Sequence, residues 1–178
     1  MSRLSLLTDR SVYPVSKIFA EELVSGFCRG HSMGFAILRP FNIYGTRMDE
    51  KSPYGRVITN FVRSVRAGIP MKVNGDGEQT RSFCHVRDMV GAVLALDRLE
   101  GYPDTEINIG NPERVTINHL ADMVNVLSGS KVGTVHVDPV RFEPRHRMPD
   151  ITRARAVLGW EPEVCLEEGL RELLGEKR

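Results

Sequence analysis

Tyr13 and Lys17 stand four residues apart in the segment Tyr13-Pro14-Val15-Ser16-Lys17. Residues Ile18 to Val24 continue a helical pattern, so the two side chains lie one above the other on one helix face. A free tyrosine has a pKa near ~10 and is a poor base at neutral pH; bringing it near 7 takes roughly 4 kcal/mol of preference for the phenolate. One cation about 4 Å away supplies on the order of 4 kcal/mol at an effective dielectric of about 20. Lys17 can therefore turn Tyr13 into a proton acceptor. On spacing alone, the commoner occupant of such a helix is a packed ring beside a solvated amine. Only the rest of the chain favours the catalytic reading.

The elements that must hold this pair follow from the pattern. Residues 13 to about 32 read as a helix, with Ile18, Phe19, Leu23, Val24 and Phe27 as its apolar stripe. Phe35-Ala36-Ile37-Leu38 is a short continuous apolar run, as in a buried parallel strand. It stops at Arg39-Pro40-Phe41-Asn42-Ile43-Tyr44-Gly45, the kind of loop where open α/β sheets place ligands. Residues 46–55 are a loop, and 57–67 an amphipathic helix stopped by Gly68 and Pro70. Strands are expected at 71–73 and 80–86, joined through the turn Asn74-Gly75-Asp76-Gly77 as a small hairpin. Helices are expected at 88–99, from the Thr116 cap to about 127, at 151–158 with Asp150 as N-cap, and at 166–174. Strands are expected at 106–110 and 132–137, and a loop dense in Pro and Arg at 138–149. The alternation of helix and strand makes the class α/β.

Composition narrows the function. The 178 residues suffice for one domain with a real core, and 41% hydrophobic with 26% charged residues is ordinary for a globular chain. A formal net charge of +1 without a long basic run points to neither nucleic acid nor an anionic membrane surface. The apolar runs are too short to span a bilayer, and the N-terminus has no signal-peptide pattern. Cys28, Cys84 and Cys165 form neither a disulfide framework nor a zinc pattern, and the five histidines are scattered, so no metal is expected and a reducing cytoplasm is the expected setting. No Gly-x-Gly-x-x-Gly follows a strand; Gly75 and Gly77 lie in a turn, and such a pair alone is a weak signal.

Taken together, the motifs resemble the C-terminal half of the extended short-chain dehydrogenase/reductases, the NAD-dependent nucleotide-sugar epimerases, dehydratases and decarboxylases. Tyr13-x-x-x-Lys17, Leu38 to Gly45, Gly75 to Phe83, Val86-x-Asp88, Asn108 to Asn111, Arg147-Met148-Pro149-Asp150 and Leu158-Gly159-Trp160-Glu161-Pro162 resemble family motifs in the family's order. The segment Gly55-Arg56-Val57-Ile58-Thr59-Asn60-Phe61 looks most like UDP-glucuronate decarboxylases, with UDP-glucose 4-epimerases similar but usually different there.

The resemblance implies a fold and a set of roles. The fold would be the C-terminal part of a Rossmann-like doubly wound sheet plus a small mixed α/β substrate-binding domain, without the N-terminal dinucleotide-binding βαβ units. Residues 1–45 would carry the Rossmann-like remnant, 46–178 mainly the nucleotide-sugar region, with 86–110 returning to the sheet. Tyr13 would be the base, Lys17 would hold the nicotinamide ribose of NAD, and Pro40 and Phe41 would lie near the nicotinamide amide. Asn42 would touch the sugar or its diphosphate, Arg81 and Arg147 would pair with the diphosphate, and Asp150 would orient a ribose hydroxyl or an arginine. Arg56 matches a proton donor or carboxylate clamp of the decarboxylases. Without the resemblance, each arginine reads as a solvated surface charge and Asp150 as a helix cap. Only 12 residues precede Tyr13, leaving no room for the glycine-rich loop or the upstream catalytic Ser or Thr. The expectation is a truncated or split half, inactive alone. It would be a homo-oligomer through the 13–32 helix or be bound to a chain supplying the missing half. One alternative is a UDP-glucose 4-epimerase or related sugar epimerase/dehydratase; the other is a non-catalytic nucleotide-sugar binding or association module.

Overall fold

A computed structural model of the chain describes residues 9–48, 57–139 and 145–175. In chain order its elements are α1 (Asp9–Gly30), β1 (Ala36–Pro40), β2 (Ile43–Tyr44), α2 (Val57–Ala67), β3 (Met71–Asn74), β4 (Thr80–Arg81), β5 (Cys84–His85), α3 (Val86–Asp97), β6 (Thr105–Ile109), β7 (Val115–Thr116), α4 (Ile117–Ser128), β8 (Thr134–Val137), α5 (Thr152–Leu158) and α6 (Leu166–Leu174). The strands pair two by two among the described residues. β1 runs parallel to β6 with Leu38 opposite Ile107, β2 parallel to β5, and β3 parallel to β8; β4 and β7 are antiparallel. The predominance of parallel pairs confirms the α/β class.

Two apolar clusters hold these elements. In the first, Ile58, Phe61 and Val62 of α2 meet Met71 and Val73 of β3, Leu120 and Val124 of α4 and Leu170 of α6. The in-out alternation of β3 follows the period of a strand: Met71 and Val73 are buried, Lys72 and Asn74 exposed. The second cluster joins Ile107 and Ile109 of β6 to Ala92 of α3, Ala154 of α5 and Trp160. Asp88 locks this second cluster. Its two carboxylate oxygens accept the backbone N–H groups of Glu163 (3.1 Å) and Val164 (3.2 Å), and its carbonyl accepts the Trp160 indole N–H (3.0 Å).

Three expectations are corrected. The 71–73 and 80–86 strands form no hairpin. The turn after β3 docks instead on the start of α4: the Asn118 side chain occupies the space beside Gly77, and the Asn118 N–H donates to the Gly77 carbonyl (3.1 Å). The chain after the turn therefore runs beside β7, and β3 takes β8 as its neighbour. Asp150 is not the N-cap of α5; that position is Ile151. The Asp150 carboxylate still receives the Thr152 N–H at 2.9 Å, satisfying one of the first-turn donors. Finally, the apolar run of β1 is half-buried rather than fully buried, since among the described residues β1 has a strand neighbour on one edge.

Candidate functional site

α1 carries Tyr13 and Lys17 into solvent. Tyr13 is 68% exposed, and the Lys17 ammonium lies over its ring, 5.5 Å from the centroid. The structure thus brings the pair together, with the cation on the ring face. Pro14 sits inside the helix, where it contributes no N–H, and the Ser16 hydroxyl donates to the Tyr13 carbonyl (2.8 Å). One turn after Lys17, Glu21 accepts from both Arg39 Nε (2.8 Å) and Arg39 Nη2. This fork fixes the helix against the end of β1. The Arg39 guanidinium holds the Glu21 carboxyl below its ordinary range.

Where β1 ends, Phe41 N–H donates to the Ile109 carbonyl (2.8 Å), continuing the pairing with β6 past Pro40. Phe41 and Pro149 close on Gly110 so tightly that an added Cβ would meet Pro149 Cγ at 2.7 Å and Phe41 Cβ at 2.9 Å. Glycine is required there for close approach of the 149 loop to the β1 exit. Asn42 takes a left-handed conformation (φ 44°), and its Nδ2 donates to the Ser82 carbonyl (2.8 Å). Asn42 therefore ties the β1 exit to the loop between β4 and β5.

Arg81 is buried, with Nη1 donating to the carbonyls of Thr80 (2.7 Å) and Arg145 (3.4 Å). The 145–150 loop lies along β4: Thr80 N–H donates to the Arg145 carbonyl (2.9 Å), and Thr80 Oγ1 is 2.9 Å from His146 Nδ1. Arg145 pairs with Asp76 (2.9 Å). Arg147 is exposed and makes no hydrogen bond or ion pair among the described residues. Asp150 is exposed; the hydrogen bonds from Thr152 hold its carboxyl below the ordinary range, and its carbonyl accepts Asn108 Nδ2 (3.0 Å).

The structure thus places Arg81, Arg147 and Asp150 on or against one loop, and Asn42, Phe41 and Pro149 at the neighbouring strand exit. Arg56 lies outside the described residues. Sequence reasoning gave no role to Arg39, Glu21, Asp76, Arg145 and His146, whose side chains pair with side chains distant in sequence: Arg39 with Glu21, Asp76 with Arg145, and His146 with Thr80. Among the described residues no three metal-ligating side chains cluster, and no helix is long and apolar enough to cross a membrane.

The fit of this set to NAD is partial. Tyr13 and Lys17 would offer exposed polar groups to a nicotinamide ribose, and Pro40 and Phe41 stand at the exit of β1. A glycine-rich strand-to-helix turn that would take a dinucleotide's pyrophosphate is not among the described residues.

An α/β fold with parallel strand pairs and a Tyr-x-x-x-Lys helix places the chain in the class of Rossmann-like folds. The sequence profile of the NAD dependent epimerase/dehydratase family matches residues 2–110, and the chain belongs to that family. It is 43% identical over 161 residues to UDP-glucuronic acid decarboxylase 5 of Arabidopsis thaliana, covering 90% of this chain and 46% of that protein. It is 33% identical over 165 residues to UDP-glucuronic acid decarboxylase 1 of Danio rerio, covering 93% of this chain and 38% of that protein. The chain thus spans less than half the length of these relatives. Among solved structures it superposes on UDP-glucose 4-epimerase of Thermotoga maritima with UDP-glucose, with a TM-score of 0.85 and 31% identity, covering 91% of this chain and 52% of the other. It also superposes on UDP-glucuronic acid 4-epimerase of Bacillus cereus in complex with UDP-glucuronic acid and NAD, with a TM-score of 0.84 and 26% identity, covering 98% of this chain and 55% of the other.

Proposed function

We propose that this chain forms the nucleotide-sugar side of an NAD-dependent UDP-glucuronate decarboxylase. The observation that carries the reading is Arg147, an exposed cation with no hydrogen bond or ion pair among the described residues, on the loop that also accepts from Arg81. Arg81 and Arg147 bind the diphosphate, where a planar fork of donors matches phosphate oxygens. Asn42 lines the sugar end, and Asp150 orients a ribose hydroxyl. Tyr13 receives the proton of the sugar C4 hydroxyl, Lys17 stabilises the phenolate and orients the ribose of the cofactor, and Pro40 and Phe41 lie beside the cofactor's amide. NAD, when bound, supplies acceptance and return of a hydride at C4. With a ketone at C4, a C5 carboxylate is that of a β-keto acid and leaves as CO2; Arg56 is assigned to its clamp or to the returning proton.

The four-epimerase reading keeps the same residues without loss of CO2, and the superposition on two 4-epimerases favours it. A return of 86–110 to the unit begun by residues 1–45 is supported by the second apolar cluster, where Ala92, Ile107 and Ile109 pack with Leu38 and Ile43, although that cluster also takes in Cys84, Ile151, Ala154 and Trp160. The exposed apolar side chains of α1, among them Ile18, Phe19, Leu23 and Phe27, support association through that helix with a second copy or with a chain that covers it.

Calorimetric titration of the purified chain with UDP-glucuronate, UDP-glucose and NAD tests the reading. Binding of UDP-sugar by the chain, with CO2 release from UDP-glucuronate once NAD and a chain carrying the dinucleotide-binding half are added, is the expected result. Interconversion of UDP-sugars without CO2 would select the epimerase. UDP-sugar binding without turnover under any cofactor supply would leave a binding module. No binding of either UDP-sugar would overturn the reading.

A further inference from the structure

We propose that Arg145, gripped by Asp76, is a positioning residue that holds the 145–149 loop on β4 so that Arg81 and Arg147 act on one diphosphate. The proposal rests on the diphosphate reading above and adds residues that never touch the ligand. Asp76 has a double task. Its Oδ1 accepts the Glu78 N–H (3.0 Å), which shapes the turn after β3, and its Oδ2 takes Arg145 Nη2 (2.9 Å). Those two bonds hold the Asp76 carboxyl below its ordinary range. The Arg145 carbonyl is then the meeting point of the Thr80 N–H and the Arg81 guanidinium. His146 is held on Thr80 Oγ1. Beyond Arg147, the Met148 sulfur accepts Arg114 Nε (3.1 Å), and Pro149 is buried against Gly110. Among the described residues, Arg147 is thus an untethered side chain in a loop tethered on both sides. A loop ordered in advance spares the ligand that cost on binding.

The proposal separates from plain electrostatics by the sign of one effect. Asp76→Asn removes a negative charge near an anion site, so the field alone would tighten binding of UDP. Positioning demands the opposite, because the amide holds the Glu78 N–H but grips Arg145 weakly. The chain is titrated calorimetrically with UDP, and its melting temperature is followed in parallel. The expected result is UDP binding weakened about three- to tenfold in Asp76→Asn, with little change in melting temperature, and Arg145→Lys recovering most of what Arg145→Gln loses. Equal or tighter UDP binding in Asp76→Asn overturns the proposal and leaves the diphosphate reading intact. No UDP binding by the wild-type chain overturns both. Should Asp76→Asn fail to fold, the exposed Arg145 decides: equal affinity in Arg145→Gln and Arg145→Lys overturns the proposal, and recovery in Arg145→Lys upholds it.

Discussion

Arg39 at the end of β1 grips Glu21 on α1 through two parallel N–H donors, one turn beyond Lys17. The Tyr13–Lys17 face is therefore aimed by a residue of the strand whose exit carries Pro40, Phe41 and Asn42. Both partners are partly exposed, so the pair contributes only about 0.5–1 kcal/mol, less at high salt. Glu21 has a lowered folded pKa, and the sign follows: the stabilisation is present above its unfolded value near ~4.5 and is lost as pH falls through the folded one. Arg39→Ala should lower the thermal midpoint at pH 7, and by less at pH 3, below the unfolded value of Glu21. An equal difference at both pH values would remove the ion pair from the account.

Asp88 and Trp160 offer a larger effect. Asp88→Ala strips the partner from two backbone N–H groups, that of Val164 being buried, and should cost about 2–4 kcal/mol in denaturant unfolding followed by Trp160 fluorescence. Asp88→Asn should cost less, since one acceptor remains. A loss under about 0.5 kcal/mol in Asp88→Ala would mean that the 160–164 segment holds by packing alone.

His85 makes folding sensitive to mild acid. It is fully buried and caps α3, its Nδ1 accepting the Arg87 N–H (3.3 Å), which leaves the proton of the neutral ring on Nε2. Nε2 has no hydrogen-bond partner among the described residues, with Glu172 at 3.6 Å. Burial pushes the His85 pKa down, against the pull of Glu172, while Arg87 pushes with burial and Asp88 and Glu168 pull with Glu172. A folded value below the unfolded one near ~6.5 makes stability complete above that pH and declining as pH falls towards the folded value. Wild type should thus lose stability between pH 7.5 and 5.5, and His85→Asn, which keeps a capping acceptor, should lose less over the same interval. Identical slopes would assign the acid sensitivity elsewhere.

Much of the fold was legible because its helices carry strong periods. Phe61 and Val62 of α2 and Leu120 and Val124 of α4 fall on the buried faces that the spacing predicts. Strand partners were not legible. β2, β4, β5 and β7 are two residues long, too short for a two-residue period to register, and Asn74-Gly75-Asp76-Gly77 signals a turn without saying what lies beyond it. Asn118, forty-one residues from Gly77, decides that question by filling the space beside it. The site shows the same limit. Tyr13 and Lys17 announce themselves by spacing, whereas Asp76 and Arg145 are 69 residues apart and no local pattern joins them.

Arg81 and Arg147 should separate in experiment, because the first is buried and bonded to the protein, and the second is exposed with no bond among the described residues. Arg147→Ala removes an exposed cation that makes no bond among the described residues. UDP affinity should fall about tenfold, some 1.4 kcal/mol, with stability unchanged to within about 0.5 kcal/mol. Arg81→Ala withdraws a buried donor from the Thr80 and Arg145 carbonyls and empties the space of its stem, so both quantities should fall, stability by about 1–3 kcal/mol. Arg81→Lys should restore little of either, since one ammonium cannot serve the two carbonyls and a phosphate in the fork geometry of a guanidinium. Paired calorimetry and thermal melts read all three variants. If Arg147→Ala binds UDP as wild type does, the diphosphate contact assigned to that residue is withdrawn, and Arg81 must be judged by whether its loss of binding exceeds what its loss of stability explains.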